Sequence, residues 1–222
     1  MKKRYLIFII IIGAIFLFFL KSYKDYNTSR NLYKEFRNTY NSYIGGISED
    51  DVFVYLNEEP ITSKNIFYYH SISSIEHEYY GSESSIEDSV ANAILDSMYT
   101  QIILNNYNKN INPSDLEDII NSLKIQYEKG SSLVSTTSKI RLDYPNESKL
   151  WVEGKYALNY LEDEIMRSNK NIKKEDMGRV ILNEIFDLSK GYKIKLTPRF
   201  YEYCDKKIFE DKLKEYNFVF SD

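Results

Sequence analysis

Apolar and polar positions follow a helical rhythm over most of this chain. Ile86, Val90, Ala93, Ile94, Met98 and Ile102, then Leu116, Ile119, Ile120, Leu123 and Tyr127, recur at steps of three and four. That spacing predicts two antiparallel helices between Ser85 and Tyr127, each with one apolar stripe. The break from Asn105 to Pro113 is polar, and either Asn112 before Pro113 or Ser114 with Glu117 can cap the second helix. Neither stripe can stay in water, so covering elements are expected on both sides. Tyr26, Tyr33, Phe36, Tyr40 and Tyr43 give one of them, an aromatic stripe on a helix over 22–44 stopped by Gly45-Gly46. Val52 to Leu56 alternates as a strand, Asn57-Glu58-Glu59-Pro60 turns the chain, and Thr62 or Ser63 caps a helix carrying Ile66, Tyr69, Ile72 and His77 or Tyr80 to Gly81. Gly130 to Ser148 reads as a polar loop. Trp151, Lys155, Leu158, Leu161 and Ile165 mark a further helix in which Gly154 is tolerated. Met177 to Leu188 predicts another helix, Tyr192 to Leu196 a strand, and Thr197-Pro198 opens a last helix bearing Phe200, Phe209, Leu213 and Tyr216.

The first twenty-one residues, MKKRYLIFIIIIGAIFLFFLK, break this rhythm. Three basic residues precede an uncharged run from Tyr5 to Leu20, which predicts a transmembrane helix. No small-x-small cleavage site follows Leu20, so the segment reads as an uncleaved signal-anchor. Lysines at both ends can snorkel, and the short basic tail favours an inside N-terminus with the body outside. The expected organisation is an anchor over 1–21, a juxtamembrane aromatic helix and linker over 22–46, and a helical domain over 47–222. This describes a single-pass cell-membrane protein with an extracytoplasmic body.

Composition narrows the function. Charged and hydrophobic residues, 28% and 43%, are those of an ordinary globular chain. From Lys21 onward 26 basic residues stand against 33 acidic ones, a net charge of −7 that argues against a nucleic-acid partner. The single Cys204 can form no disulfide within the chain and is expected to be a small buried hydrophobe. His70 and His77 lie seven apart on one helix, roughly 10 Å, where a helical zinc pair prefers a spacing of four; they read as partly exposed histidines beside Tyr69 and Tyr79. Asp96, Glu117-Asp118 and Glu162-Asp163-Glu164 fall on polar helix faces. No serine sits in a nucleophile motif and no glycine-rich phosphate loop is present. Neither an enzyme nor a resident cofactor or metal is expected.

The phrase VYLNEEPIT, a capped helix, AILDSMYTQIILNNYNKNINPSDLEDIINSLKIQY and then KLWVEGKYALNYLEDEIM together resemble the N-terminal chaperone module of the SurA-like and PrsA-like foldases. Asn57 and Ile61 match that family's Asn-Gly-x-x-Ile phrase, with Glu58 where glycine is usual. Ile94, Leu95, Met98, Ile102, Ile103, Leu104, Ile111, Ser114, Asp115 and Glu117 echo its helical text, and the resemblance spans roughly Val52 to Ser168. It implies a mainly α, SurA-N-like helical bundle with one or two short strands, preceded here by the transmembrane helix. Only Asn169 to Glu175 separates the fourth helix from the fifth, which leaves no room for the family's parvulin isomerase domain.

The resemblance thus implies a membrane-anchored holdase that binds unfolded or secreted polypeptides through an apolar and aromatic groove, without isomerase activity. Tyr68, Tyr69, Tyr79, Tyr80, Tyr99, Tyr127 and Trp151 are the candidate binding side chains. The alternative is an anchored accessory protein that recognises one native partner in an envelope assembly, secretion or immunity system. Tyr26, Tyr33, Phe36, Tyr40 and Tyr43 are the candidates there, and the same stripe allows a homodimer.

Overall fold

A computed structural model describes residues 2–48, 51–107, 111–168, 172–173, 176–213 and 218–220, with the backbone alone described for 2–20, 113 and 219. The chain is mainly helical. In order come α1 (Lys2–Ile44), β1 (Val52–Leu56), β2 (Glu59–Thr62), α2 (Ser63–Tyr80), α3 (Ile86–Tyr107), α4 (Pro113–Lys129), α5 (Ser132–Asp143), α6 (Pro145–Ser168), α7 (Met177–Leu188), β3 (Lys193–Leu196), α8 (Pro198–Tyr201), α9 (Lys206–Leu213) and β4 (Val219–Phe220). Among the described residues no helix is long and apolar enough to cross a membrane. The expected anchor from Tyr5 to Leu20 lies outside the residues whose side chains are described.

The sheet has the order β2-β1-β3-β4, antiparallel except for the parallel β3/β4 pair. Pro60 is accommodated because β2 is an edge strand. Its hairpin with β1 turns on Asn57 and Glu58 alone, both left-handed at φ 51° and 71°. Two such residues give the backbone twist that antiparallel strands need. Asn57 suits the conformation, and its side-chain oxygen accepts from the Lys193 amide at 2.7 Å. Glu58 has no such compensation and carries the Cβ penalty of a left-handed residue. Glu58→Gly is therefore expected to raise the unfolding free energy by about 1 kcal/mol, measured by urea denaturation.

One core joins the sheet to the helices. Phe53, Val54 and Leu56 of β1, Ile66, Phe67, Tyr68 and Ile75 of α2, Ile94 and Met98 of α3, and Ile140 of α5 are buried together with Leu32, Phe36 and Tyr40 of α1. Phe36 stacks on Tyr40 at 5.6 Å and meets Tyr68 and Tyr144 edge-on. Residues 22–46 are thus not a separate linker: the end of α1 is part of the domain, and a boundary at 46 cuts through its core.

Other expectations are corrected too. The stretch 130–148 is not a loop but largely α5, whose buried face carries Ser132, Thr136, Thr137 and Ser138 as well as Leu133 and Ile140. Hydroxyls hide such a helix in the sequence because they read as polar, yet they bond to nearby carbonyls: Thr136 Oγ1 donates to Ser132 O at 2.7 Å. The two helices expected to pair, α3 and α4, do not pack as a pair, since α6 lies against both. The buried face of α6 is Ser148, Gly154, Ala157 and Leu161, so of the five expected stripe residues Leu161 alone is fully buried. The expected last helix is broken into α8 and α9, with Asp205 Oδ1 accepting from the Lys207 and Ile208 amides at the start of α9; Tyr216 lies outside the described residues.

His70 is buried, not partly exposed; it shares a 2.7 Å hydrogen bond with Ser89 and faces the edge of Tyr43. Burial lowers its pKa from 6.5 to about 4. The unfolded chain therefore takes up the proton first as pH falls, and the stability held by neutral His70 is present above about pH 6.5 and lost towards pH 4. The loss is expected to be about 1–3 kcal/mol. Comparing the pH dependence of thermal unfolding with that of His70→Gln isolates it, because other titrating groups are common to both.

Candidate functional site

Among the described residues α4 has Leu123 as its one fully buried side chain. Asn112 caps it, accepting from the Ser114 amide at 3.2 Å, with Pro113 in the first turn, Asp115 close behind and Lys129 in the last turn, all matched to the helix dipole. Leu123 is fully buried, while Ile120, Ile125 and Tyr127 are exposed. The reason is its position: among the described residues α4 packs mainly on α5 and α6.

Between α4 and α6 lies a half-open groove of about 440 Å³. Ile119, Leu123, Trp151, Tyr156 and Tyr160 supply its apolar surface, and Asp115, Asp118 and Asp163 stand with Lys155 among its lining groups. The Trp151 ring is held by the Arg141 guanidinium, 4.1 Å from its centroid. Arg141 is itself sunk against Tyr68, Tyr69 and Glu76; burial draws its pKa below the usual arginine value, and Glu76 pulls it back up. This places a rigid indole at one end of an acidic, aromatic trough. Such a surface can hold an extended apolar segment flanked by basic residues through area and charge.

The expected polypeptide-binding residues do not form one surface. Tyr68 is fully buried, and Tyr69 and Tyr99 pack against the core, so these three are corrected from groove to interior. Desolvation raises the pKa of the Tyr68 and Tyr69 hydroxyls, which lie beside Ser148 and Thr100 respectively. Tyr79 and Tyr80 are exposed at the end of α2, edge-on to each other at 5.3 Å. Trp151 lines the α4/α6 groove, and Tyr127 lines a second one, of about 430 Å³, between α1, α4 and α5. The expected partner-binding stripe is likewise divided. Phe36 and Tyr40 are core residues, a correction that follows from α2 and α5 packing on α1, and Tyr43 stacks on Phe67 at 4.6 Å. Tyr33 donates its hydroxyl to Asp143, and Tyr26 is exposed; both line the second groove.

Sequence reasoning missed Ile119, Tyr156 and Tyr160 as groove residues. The signal was available: in α6, Tyr156 and Tyr160 are four apart and so share one face of the helix. Cys204 is buried as expected, and burial pushes its thiol up to about 11. Among the described residues no group of three His, Cys, Asp or Glu side chains is placed to hold a metal ion. Comparison of the chain with protein-family models, with curated proteins and with solved structures finds no match.

Proposed function

We propose that this protein is a membrane-anchored, extracytoplasmic polypeptide-binding protein, a holdase that retains unfolded or secreted chains without chemically changing them. The observation that carries the reading is the α4/α6 groove, with Trp151, Tyr156 and Ile119 on its surface and carboxylates outnumbering its lysine. Its chemistry favours clients in which apolar residues alternate with lysine or arginine. The resemblance of the Val52 to Ser168 text to the chaperone module of SurA-like foldases is consistent with it.

Trp151 is the chain's single tryptophan, so the groove contains its own reporter. The test titrates the full chain, reconstituted in lipid nanodiscs, with a tryptophan-free unfolded client while its aggregation is followed by light scattering. A saturable shift of Trp151 emission together with suppressed scattering is the expected result. Unchanged emission and unchanged scattering with two unrelated clients would refute the reading. The alternative, recognition of one native envelope partner through residues 26–43, is less favoured because Phe36 and Tyr40 are occupied in the core.

A further inference from the structure

In α1 the expected anchor and the core-forming segment share one helix axis, since α1 runs unbroken from Lys2 to Ile44. At 1.5 Å per residue, Asp25 stands about 8 Å and Tyr43 about 35 Å beyond Leu20 along that axis. Side-chain bonds fix what lies level with Asp25. Ser132 Oγ donates to the Asp25 carboxylate at 3.3 Å, Ser29 Oγ donates to Ser132 O at 3.2 Å, and Thr136 Oγ1 donates to Ser29 O at 3.3 Å. Further along, Tyr33 reaches Asp143 and Tyr40 reaches Glu147, so α5 runs parallel to α1 and begins at the anchor end. Ser135 Oγ donates to Tyr127 O and Ser138 Oγ to Gln126 Oε1, which brings the end of α4 back to the same level. The corner from Tyr127 to Val134 therefore lies at the height of Asp25. A headgroup layer is about 5–8 Å deep, so that height is its outer edge.

The composition of this end differs from the rest of the body. Lys21, Lys24, Arg30 and Lys129 are exposed there with Asp25 and Glu128, a net of +2, where the chain from Lys21 onward carries −7. Tyr23 and Tyr26 are 69% and 65% exposed, and Tyr127 and Val134 are exposed beside them. Tyrosines seek the bilayer interface, and lysines and arginines close to a membrane are drawn to anionic lipid. The second groove, lined by Tyr26, Arg30, Tyr33, Tyr127 and Lys139, opens among these residues.

We propose that residues 21–30 of α1 and the α4–α5 corner, 127–134, form a seat that rests the body on the bilayer surface and binds anionic phospholipid headgroups. The proposal rests on the reading of residues 5–20 as a membrane anchor. It fixes which end of the body meets the lipid and orients the domain relative to it.

The test uses the full chain reconstituted into vesicles containing a lipid with a nitroxide headgroup, prepared from phosphatidylcholine with or without phosphatidylglycerol. A bimane fluorophore is attached at Ser131→Cys, in the corner, or at Glu202→Cys, beside Tyr43 at the other end of the body. Cys204 is buried and its thiol pushed up to about 11, so the unsubstituted chain serves as the labelling blank. With phosphatidylglycerol present, the label at 131 is expected to be quenched several-fold more than the label at 202, and Lys24→Gln with Lys129→Gln to reduce that difference. Equal quenching at the two positions, in chain that floats with the vesicles and resists carbonate extraction, would overturn the seat while leaving the anchor intact. Quenching at 131 that is indifferent to phosphatidylglycerol would overturn the anionic preference. Release of the chain by carbonate would refute the anchor and the seat together.

Discussion

A chain cut to residues 47–222 will show no cooperative unfolding transition, whereas one cut to residues 22–222 will. Leu32, Phe36 and Tyr40 are buried in the main core, and Phe36 and Tyr40 are among its largest fully buried side chains. Deleting a buried leucine or aromatic side chain costs about 2–5 kcal/mol each, and the loss of all three approaches or exceeds the roughly 5–15 kcal/mol that hold an ordinary domain together. The cut also uncovers α2 and α5, which lose the helix they pack on. Urea denaturation of the two fragments, followed by circular dichroism at 222 nm, checks it. A sigmoidal transition from the 47–222 fragment, with the denaturant sensitivity of the longer one, would show that α1 is dispensable. The result bears on function as well: any binding assay on a fragment that begins after Gly46 would be measuring the stickiness of an unfolded chain.

Gly154→Ala is the second large effect. A Cβ at 154 would stand 2.2 Å from Thr100 Cγ2, because α6 crosses α3 at this point with no room for a methyl group. Thr100 cannot easily give way, since its Oγ1 donates to Asp96 O at 2.7 Å and holds the rotamer. The helices must separate or the threonine must turn. An alanine in mid-helix normally adds about 1 kcal/mol over glycine, and here the overpacking term of about 1–3 kcal/mol reverses the sign. Thr100→Ser removes the obstructing methyl group and is expected to restore most of the loss in the double variant, a coupling read by the same denaturation experiment. The position also sits one turn from Trp151 and Leu158, so Gly154→Ala is expected to shift Trp151 emission even where the protein remains folded.

How far the sequence reaches can be seen element by element. The ends of α2 are legible because Thr62 or Ser63 can cap its start and Gly81 its end; of the first two it is Thr62 whose Oγ1 accepts from the Asn65 amide, and Gly81 is left-handed. For α4 the sequence offers Asn112 before Pro113 or Ser114 with Glu117, and the helix starts with the first. What failed was tertiary. The aromatic stripe of α1 was read correctly as a stripe, but nothing in its spacing distinguishes a face awaiting a partner from one covered by α5, more than a hundred residues away. In α5 the rhythm was carried by serine and threonine, whose burial depends on carbonyls that only the folded chain supplies. β2 was missed because Glu59 and Pro60 read as turn residues, although an edge strand tolerates both. In α6 the spacing points to Trp151, Lys155, Leu158, Leu161 and Ile165, whereas the close approach to α3 buries Gly154 and Ala157 beside Leu161. Tyr156 and Tyr160 line the groove beside α4 instead.

The joining of α1 to a distant part of the chain also sets a timetable for biosynthesis. Tyr40 meets its bonding partner Glu147 only after 107 further residues have been made, and the Thr197 hydroxyl that bonds to Val52 O arrives 145 residues later. At about 5–20 residues per second, the part of the α1 face that α5 and α6 cover stays open for roughly 5–20 s after it leaves the ribosome, while α2 follows closely enough to pack on the rest early. During that interval the nascent chain offers the side of Phe36 and Tyr40 that later meets Tyr144 to any neighbour, and the β1–β2 hairpin can form early while β3 has yet to join it. That side of α1 is therefore, for those seconds, an aromatic surface that only the second half of the chain can close.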